Sequence, residues 1–296
     1  MNAGPTITGQ PQSLSVAAGQ GAQFTVTASG TGPLSYQWQF GGGVIAGATG
    51  SSYSIASAQA GNAGNYSVVV TNSWGGVTSS AAVLTVTVQP NGLVAAYGFN
   101  EGSGATVADG SGNGNTGTLS GATWTTSGKY GNGLVFNGGS LVKVPDSRSL
   151  DLTNAMTVEA WVYPTIKASG WSTAIMKEQS GEFCYVLYAG SPANQPNAYV
   201  YINGEQGFAG PSGLAVNAWS HLTATYDGTT LRLYVNGVLA STTAVSGAMA
   251  ASSGVLRLGG NSVWGEWFSG LIDEVRVYNR ALSQSEIQTD VNKPVG

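Results

Sequence analysis

The sequence predicts an all-β chain made of two β-sandwich modules. Three observations carry this. Short runs of alternating polar and apolar residues recur between Gly-, Ser- and Asn-rich turns, with no sustained helical period. Glycine supplies 45 of 296 residues and charged residues only 8%, against roughly 7% and 25% in ordinary soluble domains. And charge changes abruptly along the chain: no Asp, Glu, Lys or Arg precedes Glu101, and every Lys and Arg lies from Lys129 onward. That step divides the chain into modules over 1–88 and 91–296. Val88-Gln89-Pro90-Asn91-Gly92 is the joint, because Pro lacks a ladder donor and Asn-Gly favours a turn.

The same arithmetic excludes several function classes. A net charge of −4 leaves no basic footprint for nucleic acid or an anionic membrane. One Cys allows neither an internal disulfide framework nor a Cys-rich zinc site. No apolar run approaches ~18 residues, so membrane insertion is not expected. The start, Met1-Asn2-Ala3-Gly4, has no basic or apolar leader, so a signal peptide is absent or has been removed.

In the first module the strands are read at Gln23–Ala28, Ser35–Gln39, Tyr66–Val70 and Ala82–Val86. Trp38 and the segment Asn62-Ala63-Gly64-Asn65-Tyr66 then carry a resemblance to immunoglobulin-like domains. Trp38 stands where that family buries a strand-C tryptophan, and Asn62–Tyr66 resembles its D-x-G-x-Y corner with Asn in place of Asp. The resemblance implies that Val26 and Val68 occupy the positions often bridged by a disulfide, and so pack as apolar residues. The module carries amides and hydroxyls but no acid, base or metal ligand. Its expected role is a spacer or a weak interaction surface. Trp74, at a hairpin tip in Asn72-Ser73-Trp74-Gly75-Gly76, is read either as exposed or as packed on the second module.

The second module opens with Gly92–Phe99 and continues with Met156–Tyr163, ended by Pro164. Ala198–Ile202 stops at Asn203-Gly204, Leu222–Tyr226 at Asp227-Gly228 and Leu231–Val235 at Asn236-Gly237, all hairpin signals. Gly270–Tyr278 is the last strand. One short helix follows: Ser283-Gln284-Ser285-Glu286 reads as a capping box, with Leu282 and Ile287 as the hydrophobic staple. About two hundred residues of antiparallel strands suit a jelly roll.

Several segments in order make this module similar to the laminin G-like, concanavalin A-like lectin/glucanase superfamily. They are Tyr97–Gly104, Asp109–Asn115, Glu159–Val162, Trp219–Gly228, Leu233–Gly237 and Gly270–Ser283. The resemblance implies a concanavalin A-like (LamG-like) sandwich. It does not choose among lectins, adhesion modules and glycosidases, which share the fold.

A structural calcium ion is expected. Strict alternation puts Asp273 on one face with Leu271, Val275 and Val277, and a buried carboxylate there needs a counter-charge or donors. Asp109-x-Ser111-x-Asn113-Gly114 offers hard oxygens at alternate positions, like the front of a calcium loop. In the superfamily the first and last strands are commonly neighbours, which implies Asp109, Asn113, Asn115 and Asp273 as ligands. The alternative is a turn plus a carboxylate satisfied by backbone amides.

Aromatic side chains present flat apolar faces to sugar C–H groups. Tyr199 and Tyr201 share one strand face, Trp171 sits in a Gly/Ser-rich loop, and Trp264-Gly265-Glu266-Trp267 precedes the last strand. With Lys177 and Glu178 flanking them as hydroxyl partners, Trp171, Lys177, Tyr199, Tyr201, Trp264, Glu266 and Trp267 are the candidate ligand residues. Catalysis has less support. Glycosidases need two facing carboxylates, whereas Asp273 and Glu274 are adjacent, Glu159 stands alone on its strand, and Glu178 and Glu182 are split by a turn. His221 has no evident nucleophile partner. The expected function is non-catalytic polysaccharide binding in a secreted or cell-surface protein, with a neighbouring catalytic domain as a further partner. The alternatives are protein–protein adhesion and an unusual polysaccharide hydrolase or lyase.

Overall fold

The computed structural model describes residues 2–17, 21–56, 58, 60–87 and 92–295. Of the expected joint at 88–92, residues 88–91 fall outside them. The chain divides into two compact units, residues 1–90 and 91–296, and each is taken by itself below.

The first unit is an immunoglobulin-like sandwich. Its largest sheet orders Leu14–Ala17, Ala82–Thr87, Gly64–Asn72, Ser35–Phe40 and Gly43–Val44, with Gly75–Thr78 also on Gly64–Asn72. Ala22–Thr25 pairs with Ser52–Ile55, and Thr6–Gly9 with Thr27–Ser29. Trp38 is fully buried and its indole N–H donates to the Gly50 carbonyl at 3.0 Å. Tyr66 turns its hydroxyl back onto the Asn62 carbonyl at 2.8 Å, pinning the corner, and stacks on Phe24 with ring centroids 4.7 Å apart. Val26 and Val68 both lie in this core. Trp74 is 46% exposed.

The second unit is two eight-stranded sheets packed around one apolar core. The first sheet orders Thr123–Thr125, Gly133–Asn137, Ser269–Tyr278, Met156–Pro164, Ser220–Tyr226, Thr230–Val235 and Val238–Ala244, with Leu93–Tyr97 also on Ser269–Tyr278. The second orders Thr106–Val107, Gly117–Ser120, Leu141–Val144, Leu256–Leu258, Ser172–Gln179, Glu182–Gly190, Asn197–Tyr201 and Glu205–Ala209. Every strand pairing in this unit is antiparallel. Between the sheets lie Val158, Ala160, Val162, Ile175, Tyr185, Leu187, Val200, Leu222, Leu233, Leu258, Ile272, Val275 and Val277. Asn203 and Asn236 adopt φ of 54° and 53°, the left-handed geometry that tight Asn-Gly hairpins need. The helix Gln284–Val291 is capped as expected: the Ser283 hydroxyl accepts from the Glu286 amide, and the Glu286 carboxylate accepts from the Ser283 amide at 2.8 Å. Leu282 and Ile287 bury in one cluster with Leu93, Ala96, Tyr234 and Tyr278.

The last strand departs from strict alternation. Glu159 pairs with Arg276 but Trp161 with Asp273, so one extra residue is inserted opposite Ala160. Glu274 takes it up at φ 53°. Such a bulge reverses the facing of everything before it. Asp273 therefore shares a side with its partner Trp161, away from the core, while Ile272, Val275 and Val277 remain in it. The expected face shared by Asp273, Val275 and Val277 does not exist.

Candidate functional site

The outward face of the second sheet carries a connected aromatic surface. Trp171 enters from the loop before Ser172–Gln179, Phe183 and Tyr188 from Glu182–Gly190, Tyr199 and Tyr201 from Asn197–Tyr201, and Trp264 from the 261–267 loop. Trp171 lies 4.7 Å from Tyr188 and 5.9 Å from Tyr199, centroid to centroid. Phe183 lies 6.2 Å from Tyr199, 6.3 Å from Tyr201 and 6.1 Å from Trp264. Most of these pairs meet edge to face, the arrangement aromatic quadrupoles favour. Met176 and Val186 form the floor beneath them. Glycine makes room for one ring: a Cβ on Gly207, the cross-strand partner of Tyr199, would sit 2.2 Å from the Tyr199 ring.

Trp171, Phe183, Tyr188, Tyr199 and Trp264, together with Glu182, Glu205 and Glu266, line a groove of about 340 Å³. Trp171 and Glu266 also border a second, separate depression of about 400 Å³ with Ile166, Leu214, Trp267 and Phe268. Trp264 remains 44% exposed at the rim.

Polar contacts fix the loop. Glu266 accepts from the Tyr188 hydroxyl at 3.0 Å and from the Asn261 side-chain amide at 2.8 Å. Asn261 is fully buried, and also donates to the Thr173 hydroxyl and accepts the Trp264 amide. Burial raises the Glu266 carboxyl above its ordinary range, against these hydrogen bonds. Burial likewise raises Tyr188, Tyr199 and Glu182; Glu266 and Glu205 add to it for Tyr188, and Glu205 for the other two.

Of the residues expected to bind ligand, Trp171, Tyr199, Trp264 and Glu266 line the groove. Tyr201 packs beside it on Phe183, and Trp267 lines the neighbouring depression. Lys177 does not join them. It shares a strand parity with the core residue Ile175, is fully buried, and its ammonium binds Asp146 and the Gly254 carbonyl. A cation so enclosed cannot meet a sugar hydroxyl. Phe183, Tyr188, Glu182, Glu205 and Asn261 were not expected. The strand from Phe183 to Ala189 is apolar on both faces, so alternation could not separate core from groove.

Of the expected calcium ligands, Asp109, Asn113 and Asn115 gather at one turn by the Val94 carbonyl, and Asp273 has a separate set of partners. Asp109 Oδ1 accepts the amides of Ala96 and Ser111, and Oδ2 accepts the Ser111 hydroxyl and the Asn115 amide. Asn113 and Asn115 turn their side-chain NH2 groups onto the Val94 carbonyl. Asp273 is held elsewhere: Oδ2 accepts the amides of Lys129 and Tyr130, and Oδ1 that of Glu274. Both carboxylates are thus satisfied by N–H and O–H donors, and the set does not fit a calcium centre. Among the described residues no group of three His, Cys, Asp or Glu is placed to hold a metal.

The bulged strand makes a second polar cluster that the sequence reading kept apart. Glu159, Glu274 and Arg276 meet on the outward side of the first sheet, with Arg276 3.6 Å from Glu159 and 3.4 Å from Glu274. The cluster is sealed, not open: Val295 donates its amide to Glu274, Arg276 donates to the Lys293 carbonyl, and Tyr278 to Asp290 at 2.6 Å. Burial pushes Glu159 well up, Asp273 to about 6 and Glu274 to about 7, and holds His221 neutral with its pKa near 3. His221 packs edge-on against Trp161.

A fold of two large antiparallel sheets with an aromatic outer groove defines a lectin-like sandwich. The chain belongs to the concanavalin A-like lectin/glucanases superfamily, whose Laminin_G_3 model matches residues 136–288, just over half of its 296 residues. An immunoglobulin domain model matches residues 4–72. Among solved structures, domain 4 of AbnA, an extracellular arabinanase from Geobacillus stearothermophilus, in complex with arabinotriose, is 24% identical. It covers 68% of this chain and 98% of that one, with a TM-score of 0.58. The binding domain of Paraclostridial Mosquitocidal Protein 1 is 16% identical over 68% of this chain and 52% of that one, with a TM-score of 0.55. These likenesses show the fold. A decoration protein of Escherichia phage T5 is 40% identical over 79 residues, 26% of this chain. The chain spans about half the length of that curated relative. Among the described residues no helix is long and apolar enough to cross a membrane.

Proposed function

We propose that the second unit is a non-catalytic polysaccharide-binding module that holds its ligand in the aromatic groove, with the immunoglobulin-like unit as its spacer. The observation that carries this is a line of touching rings in which Trp171, Tyr199 and Trp264 reach solvent, with the buried Tyr188 and Phe183 packed behind them. Sugar rings are apolar on their C–H faces and polar at their edges. A groove walled by aromatics, with a few carboxylates at its margin, matches both properties. The neighbouring depression beside Trp267 shares Trp171 and Glu266 with the groove and lies next to it as a second place for a sugar unit. The arabinotriose complex of a similarly folded domain supports the reading. So does the sealing of Glu159 and Glu274, which leaves those two acids no substrate to face. A secreted or surface protein, in which this unit delivers a neighbouring enzyme or a whole particle to a glycan, is the setting that fits. Native affinity electrophoresis through gels containing soluble neutral, acidic and amino polysaccharides tests it. At least one gel is expected to retard the protein, and Trp171→Ala to restore its mobility. Unretarded migration in every gel refutes the reading and favours protein–protein adhesion.

A further inference from the structure

The groove has a sign. Glu182, Glu205 and Glu266 all line it, and among the described residues no Lys, Arg or His does. Nearby cations do not compensate. Across the outward face one cross-strand row runs Lys143, Arg257, Met176, Val186, Tyr199, Gly207. Arg257 is taken by Glu178, its Nε lying 2.7 Å from the carboxylate, and a second arm goes to the Ser262 hydroxyl. Lys143 stands four strands from Tyr199, about 19 Å at ~4.8 Å per strand, which exceeds the Debye length of ~8–10 Å at ordinary salt. Lys167 lies on the far depression's rim, between Ile166 and Ala168.

Independently of its charge, one of these carboxylates is incompletely used. Glu182 Oε2 is buried and has no hydrogen-bond partner. Glu205 raises the proton affinity of both Glu182 and Glu266, so the three share one negative field. Carboxylates set among the faces and edges of four or five aromatic rings form the usual environment for an organic cation, held by ring quadrupoles and by Coulomb attraction together. A uronate or sulfate in the same place would meet repulsion from all three acids.

We propose that this groove takes a cationic amino sugar chain, hexosamine units with free amino groups, in preference to neutral and uronic-acid glycans. The proposal rests on the groove being a glycan site. The C–H faces of the sugar pack on Trp171 and Tyr199, and its ammonium groups lie toward Glu182, Glu205 and Glu266.

The test is calorimetric titration of the full chain at about pH 6 with two matched probes, the β-1,4 pentamer of glucosamine and that of N-acetylglucosamine. They share ring faces and differ in charge. The charged pentamer is expected to bind about tenfold tighter at low salt, with the advantage shrinking severalfold in ~0.5 M NaCl. Glu182→Gln with Glu205→Gln, both isosteric and both at the first position of a strand, is expected to abolish the preference while keeping the melting temperature. Equal binding of the two pentamers, tighter binding of the acetylated one, or a preference that survives the double substitution overturns the charge assignment and leaves the glycan reading standing. Failure to bind either pentamer or any neutral or acidic polysaccharide overturns both.

Discussion

Gly207→Ala puts the construction of the groove to a numerical test. A Cβ at this position would lie 2.2 Å from Tyr199 Cδ1, 2.4 Å from its Cγ and 2.3 Å from the Ala198 carbonyl oxygen. The tyrosine ring could swing away, but Ala198 is backbone in the paired strand Asn197–Tyr201. To reach ordinary contact distances, Glu205–Ala209 must move out by roughly 1 Å, straining a ladder at the sheet's edge. Overpacking of this kind costs about 1–3 kcal/mol, which for a unit of this size lowers the melting temperature by roughly 3–10 °C. The same movement tilts Tyr199 and carries Glu205 with it, so polysaccharide affinity falls too. Differential scanning calorimetry reads the first effect and affinity electrophoresis the second. Gly170→Ala is the control: it borders the adjoining depression, yet a Cβ there meets nothing within 4 Å. A Gly207→Ala protein as stable as the Gly170→Ala control, with unchanged retardation, would refute the placement of Tyr199 against Gly207.

Three further outcomes follow from the buried polar groups. Asp146→Ala strips the closest counter-charge from fully buried Lys177, leaving Asp151 at 4.0 Å. A loss of about 2–4 kcal/mol in urea denaturation is expected, and Lys177→Met added to it is expected to recover most of that. Stability should rise as pH falls from 8 to about 5. Glu159, Asp273 and Glu274 hold protons in the fold at pH values where the unfolded chain has released them; His221 works the other way within this range, and the lowered Asp227 and Glu286 do so mainly below it. Each net proton is worth about 1.4 kcal/mol per pH unit. Urea midpoints at pH 5 and 8 check the sign, and a higher midpoint at pH 8 would contradict it. Chelator should leave the melting temperature within about 1 °C, since Asp109 and Asp273 are filled by amides; a clear fall would mean that a bound ion contributes to stability.

The legible parts of the molecule were those written in local pattern. Trp38, the Tyr66 corner, the Asn-Gly hairpins and the Ser283 capping box each need a few neighbouring residues, and the fold places them as read. The groove was partly legible, because Trp171, Tyr199 and Trp264 interrupt polar or turn-rich stretches. Phe183 and Tyr188 were hidden in a strand apolar on both sides. The bulge at Glu274 was the largest loss. Period-two alternation gives no notice of an inserted residue, and a single one turned Asp273 off the face expected for it and set Glu159 and Glu274 on the same arginine, Arg276. The adjacent charges Asp273-Glu274, inside an otherwise alternating strand, were the one available sign. Lys177 was misplaced for a different reason: its parity with Ile175 pointed inward, and an ammonium follows a strand inward when an acid such as Asp146 waits there.

The central claim is that the rings of the outer face grip a glycan. Calorimetric titration of the polysaccharide that retards the protein most strongly, into the wild type and into Trp171→Ala/Tyr199→Ala, addresses it directly. Removing two stacking rings is expected to weaken binding about thirtyfold or more while circular dichroism keeps its β-sheet form. The same dissociation constant for both proteins would contradict it.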